Sequence, residues 1–223
     1  MSYRRSNPLA LAVLCCVSER PMYPYEITTT LRERGKEGSI RLNFGSLYAV
    51  IKNLAKHGLI EESQTERDGN RPERTVYQIT PAGKTETLDW LRSLISEPAK
   101  EYPQFEAGLS FLPMLDPDDV LELLRHRLGR IDEQIAFADE MCAMASRANL
   151  PDLFMIEGQY AVAMMRAERN FVAGVADQLA AGTYPEQDQW RELHQMRSAG
   201  KTFAEVAAEL PMFGGIDYSK LPK

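Results

Sequence analysis

The sequence predicts a mainly α-helical protein with one small β-hairpin, divided between an N-terminal unit and a longer helical second half. Three observations carry that prediction. Apolar residues recur at helical spacing through most of the chain. That period breaks once, after Gly58, where two short strand-like runs flank an Asp68-Gly69 turn signal. A Pro-bounded stretch, Pro98–Pro103, then separates the two halves.

In the first half, Pro8 opens a helix through Leu9, Leu11–Leu14 and Val17, and Arg20-Pro21 ends it, because a residue before proline avoids helical angles. A second helix is expected from Tyr23 to Arg34, with Tyr25, Ile27 and Leu31 inward. Gly35 and Gly38 then break the chain. Asn43 offers a cap for a third helix with Leu47, Ile51 and Leu54 inward, stopped after His57 by Gly58. Strands follow at 59–64 and 75–79, and Thr80-Pro81 opens a fourth helix reaching about Ile95 through Leu88, Trp90, Leu91 and Leu94. Helices followed by a basic hairpin describe a winged helix-turn-helix.

The outward face of the third helix then has a chemistry. Asn43, Ser46, Ala49, Lys52, Asn53 and Lys56 lie opposite the apolar side, with Tyr48 on the shoulder. Small residues permit close approach, hydrogen-bonders sit near the N-terminus and cations suit phosphate. Arg67, Arg71 and Arg74 fall within eight residues of the hairpin, placed for backbone or minor groove, although one of them can instead pair with Asp68 or Glu73. Charge agrees with this division. Overall it is −6, but residues 1–90 carry 13 Lys+Arg against 11 Asp+Glu, and residues 91–223 carry 13 against 21.

The second half is helical. After the apolar stretch Phe105–Leu115, Asp116-Pro117-Asp118-Asp119 marks a helix start. Leu121, Leu124, Leu128, Ile131, Ile135, Ala138 and Cys142 then alternate intervals of three and four, the spacing of a coiled-coil seam. A further helix, about Pro151 to Leu179, puts Leu153, Ile156, Tyr160, Met164, Ala167, Phe171 and Val175 on the side expected to meet the first. Such a seam pairs two chains through Leu121, Leu124, Leu128, Ile131 and Ile135, presenting two recognition helices to successive major grooves of a pseudo-palindromic site. The alternative is that both helices pack within one chain. The expected organisation is thus a winged-helix domain at 1–97, a helical dimerisation domain at 104–181 and an extension of unknown role at 182–223, where Thr202 and Glu205 form a capping box.

Pro21-Met22-Tyr23-Pro24-Tyr25-Glu26-Ile27, Gly45-Ser46-Leu47-Tyr48, Leu54-Ala55-Lys56-His57-Gly58-Leu59-Ile60 and Arg71-Pro72-Glu73-Arg74-Thr75-Val76-Tyr77-Gln78-Ile79-Thr80-Pro81-Ala82-Gly83 together resemble the PadR family of transcription regulators across about residues 9–95. The family's usual glycine is Pro24 here, and its usual proline after the helix-three tyrosine is Ala49. The resemblance implies Ser46, Tyr48 and Lys52 at the major groove, hairpin arginines on phosphate or minor groove, and a C-terminal dimerisation domain. It also implies a repressor that leaves double-stranded DNA when a small aromatic or drug-like effector binds. Trp90, Phe105, Phe111 and Met114 are candidates to line a pocket for it, against a core-packing role.

Other classes find less support. His57, His126 and His194 are far apart without metal-ligand spacing, no phosphate loop or nucleophile elbow occurs, and no cofactor or metal is expected. Three cysteines, two of them adjacent, read as reduced thiols. The run Leu9–Val17 is too short for a membrane span and lacks a cleavage site, so the expectation is a cytoplasmic protein. The competing readings are a transcriptional activator of the same fold and a ligand- or protein-interaction module that has lost DNA binding.

Overall fold

A computed structural model describes residues 3, 5, 7–40, 44–66 and 74–214. The chain divides into two units, Met1–Glu101 and Tyr102–Lys223.

In the first unit, α1 (Pro8–Glu19) is buried on nearly every side, as its run of Leu, Ala and Val requires. The Asn7 carboxamide oxygen caps it by accepting from the Leu9 amide at 3.0 Å, and Arg20 turns extended before Pro21. The α2 helix (Pro24–Glu33) begins on Pro24 itself, and Glu26 accepts from the Tyr23 amide at 2.8 Å. Ile27 and Leu31 face inward, but Tyr25 does not: it is exposed, its ring stacked on that of Tyr23 with centroids 5.7 Å apart. The α3 helix (Phe44–Lys56) ends where Gly58 takes a φ of +69° and the Leu59 amide reaches back to the Leu54 carbonyl at 3.0 Å.

The period change after Gly58 is real. β1 (Ile60–Glu66) pairs antiparallel with β2 (Arg74–Ile79), with a register shift at Ser63. Met22 adds an isolated bridge on the far side of β2, exchanging two 3.0 Å hydrogen bonds with Tyr77. The Thr80 hydroxyl then works in both directions. It accepts from the Gly83 amide at 3.0 Å, capping α4 (Pro81–Ser96), and donates to the Gly58 carbonyl at 2.6 Å. On α4 the inward residues are Gly83, Thr87 and Trp90; Leu88, Leu91 and Leu94 are exposed, contrary to the expected stripe.

The second unit contains α5 (Gln104–Leu109), a 3-10 turn at Leu112–Met114, α6 (Pro117–Arg147), α7 (Ile156–Ala181), α8 (Gln187–Ser198), α9 (Phe203–Glu209) and a last 3-10 turn at Pro211–Phe213. The helices α6 and α7 form an antiparallel hairpin within the chain. Leu124 and Ile131 of the heptad seam are buried, and Leu121, Leu128, Ile135, Ala138 and Cys142 are half-buried. The seam thus closes on α7 of the same chain. Arg127–Glu168, Asp132–Arg169 and Asp139–Arg166 ion pairs bridge the two helices.

The face that α7 turns to α6 is not the one expected. Val162, Val172, Ala176 and Leu179 are buried there, and Gly158 approaches Cys142. Ile156, Tyr160, Met164 and Phe171 point away, and Tyr160 is 68% exposed. The side facing α6 is made of small and β-branched residues, which let two helices lie close; the bulkier aromatics occupy the opposite side.

Residues 182–214 share this core. Trp190, Leu193, Val206 and Leu210 pack with Val120, Leu124, Val172 and Leu179, and the Trp190 indole nitrogen donates to the Leu115 carbonyl at 3.0 Å. The capping box forms at Thr202 and Glu205.

Candidate nucleic-acid interface

The α3 helix is held from behind by Leu47, Val50, Ile51 and Leu54, all buried in the core that α1 dominates. That amphipathic split decides what remains outside. Tyr48, Ala49, Lys52, Asn53 and Lys56 are exposed along one face, with Ser46 half-buried at its start. Tyr48, placed on the shoulder by helical spacing, is 53% exposed. Two elements fix the far end of α3. His57 Nδ1 lies 2.8 Å from the Asn53 carbonyl, and the Tyr3 ring meets the His57 ring edge-on with centroids 5.4 Å apart. Tyr3 leans on Trp90 as well, and Arg5 pairs with Glu86 of α4 at 2.7 Å. Tyr3 therefore links the end of α3 to α4, and Arg5 adds an ion pair to α4.

Tyr77 of β2 comes electrostatically close to Tyr48. Burial first, then the nearby Glu62 and Tyr48, push the Tyr77 phenol up from its ordinary value, so it stays protonated and neutral. On β1, Glu61 is engaged by Gln78, whose amide donates to it at 2.8 Å. Glu61 and Glu62 are exposed acids on β1, at the root of the wing.

Of the residues singled out from sequence, Ser46, Tyr48, Lys52, Asn53 and Lys56 share the α3 surface. Asn43, Arg67 and Arg71 lie outside the described residues; Arg74 opens β2, and its side chain is likewise outside them. The stacked Tyr23–Tyr25 pair at the start of α2 escaped sequence reasoning, because Tyr25 falls on the apolar side of a helical projection.

The pocket candidates fall in both units, and the three of the second unit do not line one cavity. Trp90 belongs to the core of the first unit. In the second, Phe105 lies under the Arg127 guanidinium at 3.7 Å and lines a cavity of about 400 Å³ with Leu112 and Leu124. Met114 lines a different one of about 370 Å³, and Phe111 is exposed. Among the described residues no cluster of His, Cys, Asp and Glu is suited to a metal, and no helix is long and apolar enough to cross a membrane.

Comparison with known proteins places this geometry. Residues 13–88 match the model of the transcriptional regulator PadR-like family. The fold is similar to that of Bacillus subtilis PadR in complex with operator DNA, at 22% identity and a TM-score of 0.58, covering 81% of this chain and 99% of that one. It is similar also to Bacillus subtilis PadR in complex with p-coumaric acid, at 16% identity and a TM-score of 0.62, covering 77% and 98%. A PadR-like transcriptional regulator from Bacillus cereus gives 16% identity and a TM-score of 0.54, covering 78% and 99%. No curated protein matches the chain. Residues 13–88, the winged-helix part of the first unit, thus match the transcriptional regulator PadR-like family, and the fold of the chain as a whole is similar to that of PadR proteins.

Proposed function

We propose that this chain is a dimeric DNA-binding repressor, released from a pseudo-palindromic operator by a small-molecule effector. The observation that carries the reading is the exposed α3 face, on which Tyr48, Lys52, Asn53 and Lys56 stand free of the core beside a wing tied to the α2 entrance at Met22–Tyr77. A helix of that composition enters a major groove with its hydrogen-bonding residues toward base edges and its lysines toward phosphate. Ser46 extends the same face at its N-terminal end, and Asn43 with Arg67, Arg71 and Arg74, which the sequence puts beside α3 and in the hairpin, are the further proposed contacts, the arginines to phosphate or minor groove.

A two-fold operator needs a dimer, and the outer face of α7 supports one. Ile156, Tyr160, Met164 and Phe171 form an apolar stripe left exposed along a hairpin whose heptad seam is already filled. Contiguous apolar surface of this kind marks an interaction site. A second copy of the same face is its partner, in the isologous arrangement that two-fold symmetry imposes. Effector release is supported by the fold likeness to a regulator in complex with p-coumaric acid.

Selection of bound sequences from random duplex DNA tests the reading. The expected product is a palindrome with half-sites one helical turn or a multiple apart. Recovery of no enriched sequence at low salt, with the chain folded, would overturn DNA binding and leave an interaction module in its place.

A further inference from the structure

Two cavities of the second unit carry cations on their walls, and the state of those cations separates them. Beside Phe105, Arg127 already pairs with Glu168 and Arg130 with Glu133. The 370 Å³ cavity between the 112–114 turn, α8, α9 and the 211–213 turn differs. Its apolar wall is Met114, Leu193, Phe203 and Phe213, the last two rings meeting edge-on with centroids 5.4 Å apart. Its polar wall is His194 and Arg197. His194 Nδ1 lies 3.3 Å from the Asp116 carboxylate, which orients the ring and leaves Nε2 as its other hydrogen-bonding atom. Arg197, an exposed residue, gives one N–H to the Lys201 carbonyl at 2.7 Å, and among the described residues no carboxylate pairs with it. A guanidinium has five donors in a planar fork, so most of its capacity remains. It does so in a unit where residues 102–223 carry 19 Asp+Glu against 11 Lys+Arg, surroundings rich in acids for an arginine to pair with.

We propose that this cavity is a binding site for a compact organic anion, an apolar body carrying one carboxylate. Arg197 receives the carboxylate, with His194 beside it, and the Phe203–Phe213 corner receives the body. The volume is at the small end of ligand cavities, which run from roughly 300 to 1,000 Å³, and an apolar wall with a few convergent polar groups is their usual construction. Arginine matches a carboxylate through two parallel hydrogen bonds, the strong charge-assisted kind. The site deepens the effector reading above and rests on it only for any consequence at the operator.

Calorimetric titration of the full chain, without DNA, with 1-naphthoate and its uncharged counterpart 1-naphthamide tests the proposal. Naphthoate is expected to bind at one site per chain, roughly tenfold more tightly than the amide, the scale of one charge-assisted hydrogen bond. Arg197→Gln is expected to abolish that preference and Arg197→Lys, which keeps the charge but not the two parallel hydrogen bonds, to retain part of it, whereas Phe203→Ala weakens both probes alike. Equal affinity of wild type for the two probes, no binding of either, or a preference that survives Arg197→Gln would each overturn the site. Naphthoate that fills the site while leaving operator affinity unchanged supports the cavity and counts against effector release alone.

Discussion

The α-carbon of Gly83 lies against the carbonyl oxygen of Leu59 so closely that a β-carbon placed there would stand 2.0 Å from it, and 2.8 Å from a side-chain carbon of Ile79. The obstructing atom is backbone at the joint where α3 hands over to β1, which Thr80 also clamps. Gly83→Ala therefore forces α4 off the sheet root. The expected loss is about 3 kcal/mol, at the upper end for overpacking. Urea unfolding followed by circular dichroism measures it; a loss below about 0.5 kcal/mol would mean that the joint yields freely.

On α3, Lys52 and Lys56 are exposed and their proposed role is phosphate contact. Each alanine substitution is expected to weaken binding across all sequences alike and to reduce the salt slope by about one. Tyr48→Ala is expected to act differently, relaxing preference at one or two positions of the selected site. Fluorescence anisotropy across a salt series separates these behaviours.

Phe171 and Val172 are neighbours with opposite fates. Phe171 lies on the outer stripe of α7, and Val172 is fully buried against the hairpin core. Phe171→Glu is expected to turn a dimer into a monomer with helical content intact. Val172→Asp is expected to cost at least about 3 kcal/mol, because it buries a charge without a partner. Sedimentation velocity and thermal unfolding read the two effects. A Phe171→Glu variant that stays dimeric would move the interface elsewhere.

Burial pushes the Cys16 thiol up to about 11. At pH 8 it is a neutral thiol and a poor nucleophile, so alkylation by iodoacetamide in the folded protein is expected to be far slower than after unfolding. A group raised in the folded state contributes stability that is complete below its unfolded value, about 8.5, and fades as pH rises toward 11. Thermal unfolding at pH 8, 9.5 and 10.5 is expected to show that decline, and Cys16→Ala to flatten it.

Local chemistry was legible wherever one or two residues decide an outcome. Asn7-Pro8, Arg20-Pro21, Gly58 and Thr80-Pro81 set their boundaries through capping and through steric exclusion at proline, and each element begins or ends beside them. The outward face of α3 was legible for the same reason, since helical spacing fixes which residues share a side. Periodicity carries no information about which chain supplies the partner. The seam at 121–142 is a true seam, but α7 of the same chain fills it. On α7 two apolar faces compete, and the bulkier one drew attention although the closer approach favours Val162, Val172 and Ala176. The docking of α8 and α9 depends on pairs such as Trp190 and Leu115, separated by 75 residues, which no local pattern announces.

Met22 and Tyr77 exchange two backbone hydrogen bonds, so the strand that carries the wing shares a ladder with the residue leading into α2. Under the proposed DNA-binding role, α3 and the root of the wing are in this way parts of one gauge of fixed span. A gauge cannot stretch to follow its substrate. An extra base pair between the two footprints, with about 3.4 Å of rise, leaves one of them displaced and unoccupied. On that proposed role, spacing within each half-site is expected to be enforced as strictly as the bases themselves.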